Sequence, residues 1–466
     1  MTGPLTRITS AVRDGRVNAR DVVAAALDAL TRHDPELGVL AGRDADAAER
    51  QLAELATRHG EPLPLAGAPV LVKDLEDWAG HPTVKGSRTL LDAPPASTSS
   101  PVVTRLLTAG AIPVGKSTLP EFAIEGYTTN LVTGATRNPW DPSLSPGGSS
   151  GGSASALAAG LALVGTATDG GGSVRIPASL CGLLGLKPTN GMIGRSPAPD
   201  WIDYSTDGIL ATSADDLDLL LGVLAGGVAG DPNPVALRTP VSRPWRLVAA
   251  PQTSSAGPLD PEVEAAFLAA TEVVSSVLRA PLEWREPSYF LAVGDPDADW
   301  YRVCATEHVM SIGRERVERE WDLYHPATRD FFARGLATTT DEYLAARRRR
   351  FDWVRLLDEL LGEDTLLVTP VVTRAGWPAE GPRDDSGQVI GLPPDYLATV
   401  LQNITGLPAI SIPLGMAGTL PFGLQVTGPR GSDRELIAVA AAVQAAHPWP
   451  LSAPGYPTLA EALGLE

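Results

Sequence analysis

Residues Pro146–Pro188 read PGGSSGGSASALAAGLALVGTATDGGGSVRIPASLCGLLGLKP, two glycine-serine clusters set among apolar segments. The first cluster, Gly147-Gly148-Ser149-Ser150-Gly151-Gly152-Ser153, leads directly into an alanine-rich run, and Ser153–Val164 is predicted helical. The N–H groups of that cluster then sit at a helix N-terminus, where a developing negative charge is favoured. The second cluster, Asp169-Gly170-Gly171-Gly172-Ser173, follows one apolar segment and precedes another. Patterned apolar segments this close on both sides exclude a flexible linker, so the glycines belong to a shaped site.

Working outward, the chain alternates buried strands with amphipathic helices. Pro69–Val72 is apolar and β-branched without alternation, the mark of a strand buried on both faces, and it stops at Lys73-Asp74. Leu5–Thr31 predicts two short amphipathic helices joined near Gly15. Pro101–Gly110 predicts a further helix, Ala111–Gly115 a second buried strand and Thr136–Ser149 an irregular loop. Ala211–Leu224 is predicted helical with Ser213 as its cap. Strands are expected at Trp245–Ala250, Thr365–Val372, Ala409–Pro413 and Phe422–Thr427, with helical stretches between them and no visible repeat. An α/β layered architecture follows. Gly226–Pro244, dense in glycine and proline, separates a motif-rich front from a more variable back.

The 466 residues carry a formal charge of −18, from 37 Lys and Arg against 55 Asp and Glu, and 44% are hydrophobic. That length and apolar content suffice for a large core. Strong acidity disfavours nucleic-acid and anionic membrane surfaces, which demand basic patches, so neither is an expected partner. No apolar run reaches the roughly 20 residues of a bilayer span. Met1–Leu30 carries Arg7, Arg13, Asp14, Arg16, Arg20 and Asp21 where a signal peptide is apolar, so a cytoplasmic protein is expected. Cys181 and Cys304 are too few for a disulfide framework and lack metal-site spacing; both read as buried thiols, and no metal or other cofactor is expected. Arg347–Arg350 lies in a helical pattern, Asp341–Leu361, and reads as a solvated face.

Two strings match motifs whose chemistry they fail to supply. Gly110–Ser117, GAIPVGKS, satisfies the pattern of a P-loop nucleotide-binding protein. That loop works by donating successive backbone N–H groups, but Pro113 has none, and Pro120 follows closely where a helix is required. Gly147–Gly151, GGSSG, satisfies the nucleophile elbow of α/β-hydrolases, which needs an acid and then a histidine downstream. His308, His325 and His447 are available, yet none has a distinguishing context.

The conjunction of segments points elsewhere. Pro146–Pro188, GAPVLVKD at Gly67–Asp74, Gly86-Ser87, AGAIPVGKS at Ala109–Ser117, RNPWD at Arg137–Asp141 and NITGLPAI at Asn403–Ile410 resemble the amidase signature family. The resemblance is strong over about Leu5–Gly226 and Asn403–Gln425 and weak between. It implies a mixed central β-sheet covered by helices on both faces. It also implies a single domain spanning 1–466, with 1–226 and 403–466 as its motif-rich core and 227–402 as a variable substrate-pocket region. The implied reaction is hydrolysis of a carboxylic amide C–N bond. Ser173 is by this resemblance the nucleophile, Ser149 the bridging serine after a cis peptide bond, and Lys73 the base.

The residue chemistry supports these roles independently. A serine hydroxyl needs a base, and a lysine with a free pKa of ~10.4 must be made neutral to act as one. Burial at the end of an apolar strand lowers a lysine pKa, because desolvation penalises the charged form. Gly170, Gly171 and Gly172 form the expected oxyanion hole: without side chains their backbone approaches the substrate closely, and each donor elsewhere is worth roughly 3–4 kcal/mol. Attack by Ser173 leads to an acyl-enzyme that water hydrolyses. Asp169 and Arg175, flanking the nucleophile, are expected to hold the loop in shape.

Substrate identity is less legible. Aligning Phe122–Asn130 with the family places Glu125, Gly126 and Tyr127 near the acyl site. The back half carries Trp284, Tyr289, Phe290, Trp300, Tyr301, Trp321, Phe331, Phe332, Trp353, Trp377 and Tyr396. A subset of these lining an apolar pocket would suit a small aryl or alkyl amide. The alternative is the glutaminase-type component of a tRNA-dependent amidotransferase, which needs partner chains. The expected partner is a small-molecule amide, and the sequence leaves a homodimer open.

Overall fold

The structure is a computed structural model that describes residues 2–58, 60–255, 257–393 and 396–465. Its strands are β1 (Leu40–Arg43), β2 (Pro69–Lys73), β3 (Ile112–Ser117), β4 (Thr129–Asn130), β5 (Gly134–Ala135), β6 (Val164–Asp169), β7 (Leu184–Lys187), β8 (Thr206–Ala211), β9 (Arg246–Ala249), β10 (Leu282–Trp284), β11 (Thr365–Pro370), β12 (Ala409–Ala417) and β13 (Leu420–Thr427). β4 and β5 pair with each other; the other eleven form one sheet in the order β1-β3-β2-β6-β8-β7-β12-β13-β11-β9-β10. The sheet is mixed: β2 runs parallel to β3 and β6, and β9 to β10 and β11, whereas the central β6, β8, β7, β12 and β13 pair antiparallel in succession.

Side chains alternate across a strand, and here both faces are apolar. Val70 and Val72 share a core with Val102, Val103 and Leu106 of the helix Pro101–Thr108. Leu71, between them, shares the opposite core with Val23 and Leu30 of the helix Ala19–Leu37. On β9, Leu247 and Ala249 join the first core, while Val248 faces an aromatic core containing Phe290, Phe331 and Trp353. Two buried faces explain why these strands read as unbroken apolar runs.

Several elements depart from their sequence signal. The alanine-rich helix is Gly151–Ala158; the chain turns at Gly160, φ 65°, and Val164 already opens β6. Ala211 ends β8, and the next helix starts at Ala214, where Ser213 Oγ accepts the Asp216 N–H at 3.2 Å. GAIPVGKS is a turn followed by β3, and Lys116 Nζ is held by Asp74 at 2.8 Å, the Pro82 carbonyl at 2.9 Å and Thr83 Oγ1 at 3.1 Å. A strand with its lysine committed to protein groups is no phosphate loop.

Arg347–Arg350 is not a solvated face. Arg347 pairs with Asp203 and Glu307, Arg349 with Asp299, and Arg350 with Asp203 at 3.0 Å and the Ile404 carbonyl at 2.8 Å. Packing against the helix Pro296–Ile312 brings acidic partners to the run, and Arg348 is its exposed member. Among the described residues no helix is long and apolar enough to cross a membrane.

Candidate active site

β2 delivers Lys73 to the middle of the site. The side chain is fully buried, its backbone N–H donates to Thr166 Oγ1 at 2.7 Å, and its Nζ donates to Ser149 Oγ at 2.8 Å, Ser150 Oγ at 2.9 Å and Thr168 Oγ1 at 2.8 Å. Thr166 and Thr168 stand two apart on β6 and so share one face of the sheet. The three hydroxyls match the three donors of an ammonium, yet burial disfavours its charge and pulls the Lys73 pKa down to about 7. Glu76, Asp169 and Asp207 push it back up, while Arg195 adds to the fall.

The two glycine-serine clusters meet at this lysine. The Gly148–Ser149 peptide is cis, and Ser150 N–H donates to the Ser173 carbonyl at 3.3 Å. Ser173 Oγ makes no hydrogen bond among the described residues; Ser173 lines, with Ser149, Thr168 and Gly170, a cavity of about 230 Å³. Beneath the Asp169–Ser173 loop lies a fully buried ion pair. Arg175 Nε and Nη2 grip Asp169 at 2.9 and 2.7 Å, and the guanidinium also reaches the Thr399 carbonyl and the side-chain oxygens of Gln402, Asn403 and Gln425. Burial alone would raise the Asp169 pKa, but Arg175 brings it to about 2. Asp169 in turn accepts the N–H groups of Gly172 at 2.8 Å and Val174 at 3.2 Å.

This arrangement sorts the three glycines. The Gly172 N–H is taken by Asp169, whereas those of Gly170, Gly171 and Ser173 have no partner among the described residues. The Gly170 and Gly171 carbonyls are fixed by Trp300 Nε1–H at 2.7 Å and Thr399 Oγ1–H at 2.5 Å. In a trans peptide the N–H points opposite the C=O, so the anchor on the Gly170 carbonyl also orients the Gly171 N–H. The missing side chains make room for rings rather than for substrate: a Cβ on Gly170 would fall 2.3 Å from Trp201 and one on Gly171 2.6 Å from Trp300.

The remaining cavity wall is mixed. Arg195 sits between two acids, its Nε 3.3 Å from Asp207 Oδ1 and its Nη2 3.5 Å from Glu76 Oε1, and donates to Ser205 Oγ at 2.8 Å. Burial raises the Asp207 carboxyl to about 7 despite Arg195. Asp207 stands directly opposite Thr168 in the β6–β8 ladder, which ties this charge cluster to the lysine. The apolar side is formed by Phe122, Trp201 and His308.

The expected acyl-site residues pack against Gly148 of the cis peptide without reaching the cavity wall. Glu125, Gly126 and Tyr127 do not line the cavity. Glu125 Oε2 accepts the Leu392 N–H at 2.9 Å, Tyr127 Oη donates to the Ile390 carbonyl at 2.8 Å, and Gly126 abuts Leu392. They pin the segment 390–392, and burial raises the Glu125 carboxyl to about 7. None of the eleven back-half aromatics lines the cavity either. Trp300 and Phe331 stand behind Trp201, with ring centroids 5.2 and 6.0 Å from it, because they complete the aromatic core. No histidine hydrogen-bonds Ser149 among the described residues, so the nucleophile-elbow reading lacks its base. Both cysteines are buried and free, and among the described residues no group of three metal-ligating side chains could hold an ion.

Ser150, Thr168, Arg195, Asp207, Trp201 and Thr399 escaped the sequence reading. Only the Thr-Ala-Thr alternation at 166–168 carries a local signal, two hydroxyls on one strand face.

The amidase family model matches residues 21–294 and 299–437. A glutamyl-tRNA(Gln) amidotransferase subunit of Chromohalobacter salexigens is 32% identical over 97% of this chain and 98% of its own. The putative amidase AmiB2 of Mycobacterium tuberculosis is 33% identical over 94% of each chain. Among solved structures, a bacterial aryl acylamidase of the amidase signature family superposes with a TM-score of 0.86 at 26% identity, covering 95% of this chain and 96% of that one. A 6-aminohexanoate cyclic dimer hydrolase gives 0.83 at 27%, covering 97% and 98%. The large mixed sheet with helices around it is the architecture of those enzymes, and the chain belongs to the amidase signature family, hydrolases of carbon–nitrogen bonds.

Proposed function

We propose that the protein hydrolyses a compact carboxylic amide by a Ser173–Ser149–Lys73 relay. The observation that carries this reading is Lys73 Nζ, fully buried, 2.8 Å from Ser149 Oγ at the wall of the cavity onto which Ser173 opens. With its pKa near 7, a large share of Lys73 is neutral at neutral pH and accepts the Ser149 proton as Ser149 accepts that of Ser173. The Ser173 hydroxyl has no bond among the described residues, and a bound amide closes that last link; catalytic hydrogen bonds commonly tighten only in the complex. The developing oxyanion is received by the unpartnered N–H groups of Gly170, Gly171 and Ser173 rather than by Gly172, whose N–H serves Asp169. The leaving nitrogen takes the proton back through Ser149, and water then releases the acyl group by the same route.

A cavity of about 230 Å³ favours a small substrate, and Phe122 and Trp201 favour an aryl or alkyl group. Rates on a panel of aryl, alkyl and peptide amides should fall by orders of magnitude in Ser173→Ala, Ser149→Ala and Lys73→Ala while the variants remain folded; near-normal rates in any of the three remove that residue from the relay. The second reading, a glutaminase-type component of an amidotransferase, draws on the 32% identity to the Chromohalobacter salexigens protein. It requires that activity appear only with partner chains, whereas the reading preferred here requires activity of the isolated chain.

A further inference from the structure

Two aromatic residues of the cavity wall carry polar atoms that no group among the described residues satisfies. Trp201 Nε1 and both ring nitrogens of His308 are buried without a hydrogen-bond partner among the described residues. Neighbouring indoles are treated differently: Trp300 Nε1–H donates to the Gly170 carbonyl at 2.7 Å, and Trp353 Nε1–H reaches Asp299 at 3.4 Å. A buried donor or acceptor left unmet costs about 1–3 kcal/mol. Three such atoms stand on two adjacent rings that line the cavity, and a single group placed between the rings would meet two of them, the Trp201 N–H and one imidazole nitrogen.

The two rings are held in register with each other. Their centroids lie 6.1 Å apart, and His308 stands 5.5 Å from the Phe122 ring. Residues beside His308 on the helix Pro296–Ile312 grip residues beside Trp201: Glu307 Oε2 accepts the Ile202 N–H at 2.9 Å, and Ser311 Oγ donates to Asp200 at 2.5 Å. Trp201 also covers Gly170, which places the pair next to the nucleophile loop.

The chemistry of the pair narrows what it takes. An indole N–H only donates, whereas a neutral imidazole offers one donor and one acceptor. Burial holds His308 neutral, with its pKa down to about 4. The charges nearest His308 on the cavity wall, Asp200 and Lys85, already pair with each other at 3.5 Å, and Phe122 and Trp201 flank the ring, so the fitting group is uncharged, accepts from Trp201 and donates to His308. Resting on the amidase reading above, we infer that Trp201 and His308 recognise a hydroxyl carried on the flat apolar part of the amide substrate.

Matched amides differing only in that group test the inference, with the substituent placed on the acyl side in one series (benzamide, 4-hydroxybenzamide, 4-methoxybenzamide) and on the amine side in another (acetanilide and its hydroxy and methoxy forms). In one series kcat/KM of the hydroxy compound should exceed that of both analogues by at least about tenfold, since a site built to bond a hydroxyl rejects analogues that cannot do so. The ratio should fall to within about twofold in Trp201→Phe and in His308→Phe, and His308→Gln, which keeps a donor and an acceptor, should restore part of it. Should one variant fail to fold, the other carries the test. No hydroxyl preference in either series, or a preference that survives both substitutions, overturns the inference and leaves the amidase reading intact. A wild type that cleaves none of the amides overturns both.

Discussion

Replacing Lys73 with methionine should abolish turnover and change stability in a pH-dependent way, most in favour of the variant at low pH. The side chain is fully buried against three neutral hydroxyls, and burial lowers its pKa from 10.5 to about 7. The unfolded chain therefore holds the proton up to about pH 10.5, the folded chain only up to about pH 7. Between those values the unfolded state binds more protons, so the wild type gains stability as pH rises and loses it as pH falls. The full span corresponds to on the order of 5 kcal/mol, present above the unfolded pKa and gone below the folded one. Methionine has similar volume and no charge to desolvate. The stability of Lys73→Met relative to the wild type should thus be highest at or below neutral pH and fall by a little over 1 kcal/mol for each pH unit towards the alkaline end, offset throughout by the hydroxyls that lose their lysine. Urea unfolding of the two proteins side by side from about pH 6 to pH 9 reads this difference; groups remote from Lys73 cancel, and Asp207, which interacts with it, is held constant by making the comparison in the Asp207→Asn background. A pH-independent difference would refute the reasoning, as would a wild-type kcat/KM whose acid limb lies far from neutrality.

Three further substitutions probe the surroundings of that lysine. Asp207→Asn removes a carboxyl that raises the Lys73 pKa, so the acid limb of kcat/KM should move to lower pH, and Arg195→Gln, which removes a cation that lowers it, should move the limb to higher pH. Shifts of the same sign in both would show that these groups do not act through Lys73. Arg175→Met leaves Asp169 buried and unpaired, at a cost of about 3–5 kcal/mol seen as a lowered unfolding midpoint. An unchanged midpoint would contradict the central place given to that ion pair.

The parts of the site that chain locality encodes were legible, and the parts that assembly creates were not. Ser149 and Ser173 stand in glycine-rich runs bracketed by patterned apolar segments, and Lys73 ends an apolar run that only burial on both faces explains. By contrast, Thr399 anchors Gly171 from 228 positions away, and Arg175 reaches Gln425 from 250 positions away. Nothing near Thr399 or Trp300 announces that contact. The central strands β6 and β8 escaped because Gly-Thr-Ala-Thr-Asp and Thr-Asp-Gly dilute the β-branched apolar signal with the very hydroxyls and acid that surround the lysine. The arginine run misled for the complementary reason: charge reads as solvent exposure until folding brings Asp203, Asp299 and Glu307 against it. Alignment places Glu125 and Tyr127 beside the site, where their backbone packs on Gly148, but does not tell that their side chains turn to Leu392 and Ile390.

The central claim is that Ser173, activated through Ser149 and Lys73, forms the acyl-enzyme. Incubating the protein with a fluorophosphonate, followed by peptide mapping, tests it most directly. A single adduct on Ser173 is expected, formed faster as pH rises through about 7 and strongly slowed in Lys73→Met. Modification of Ser149 in place of Ser173, or complete inhibition with Ser173 unmodified, would contradict it.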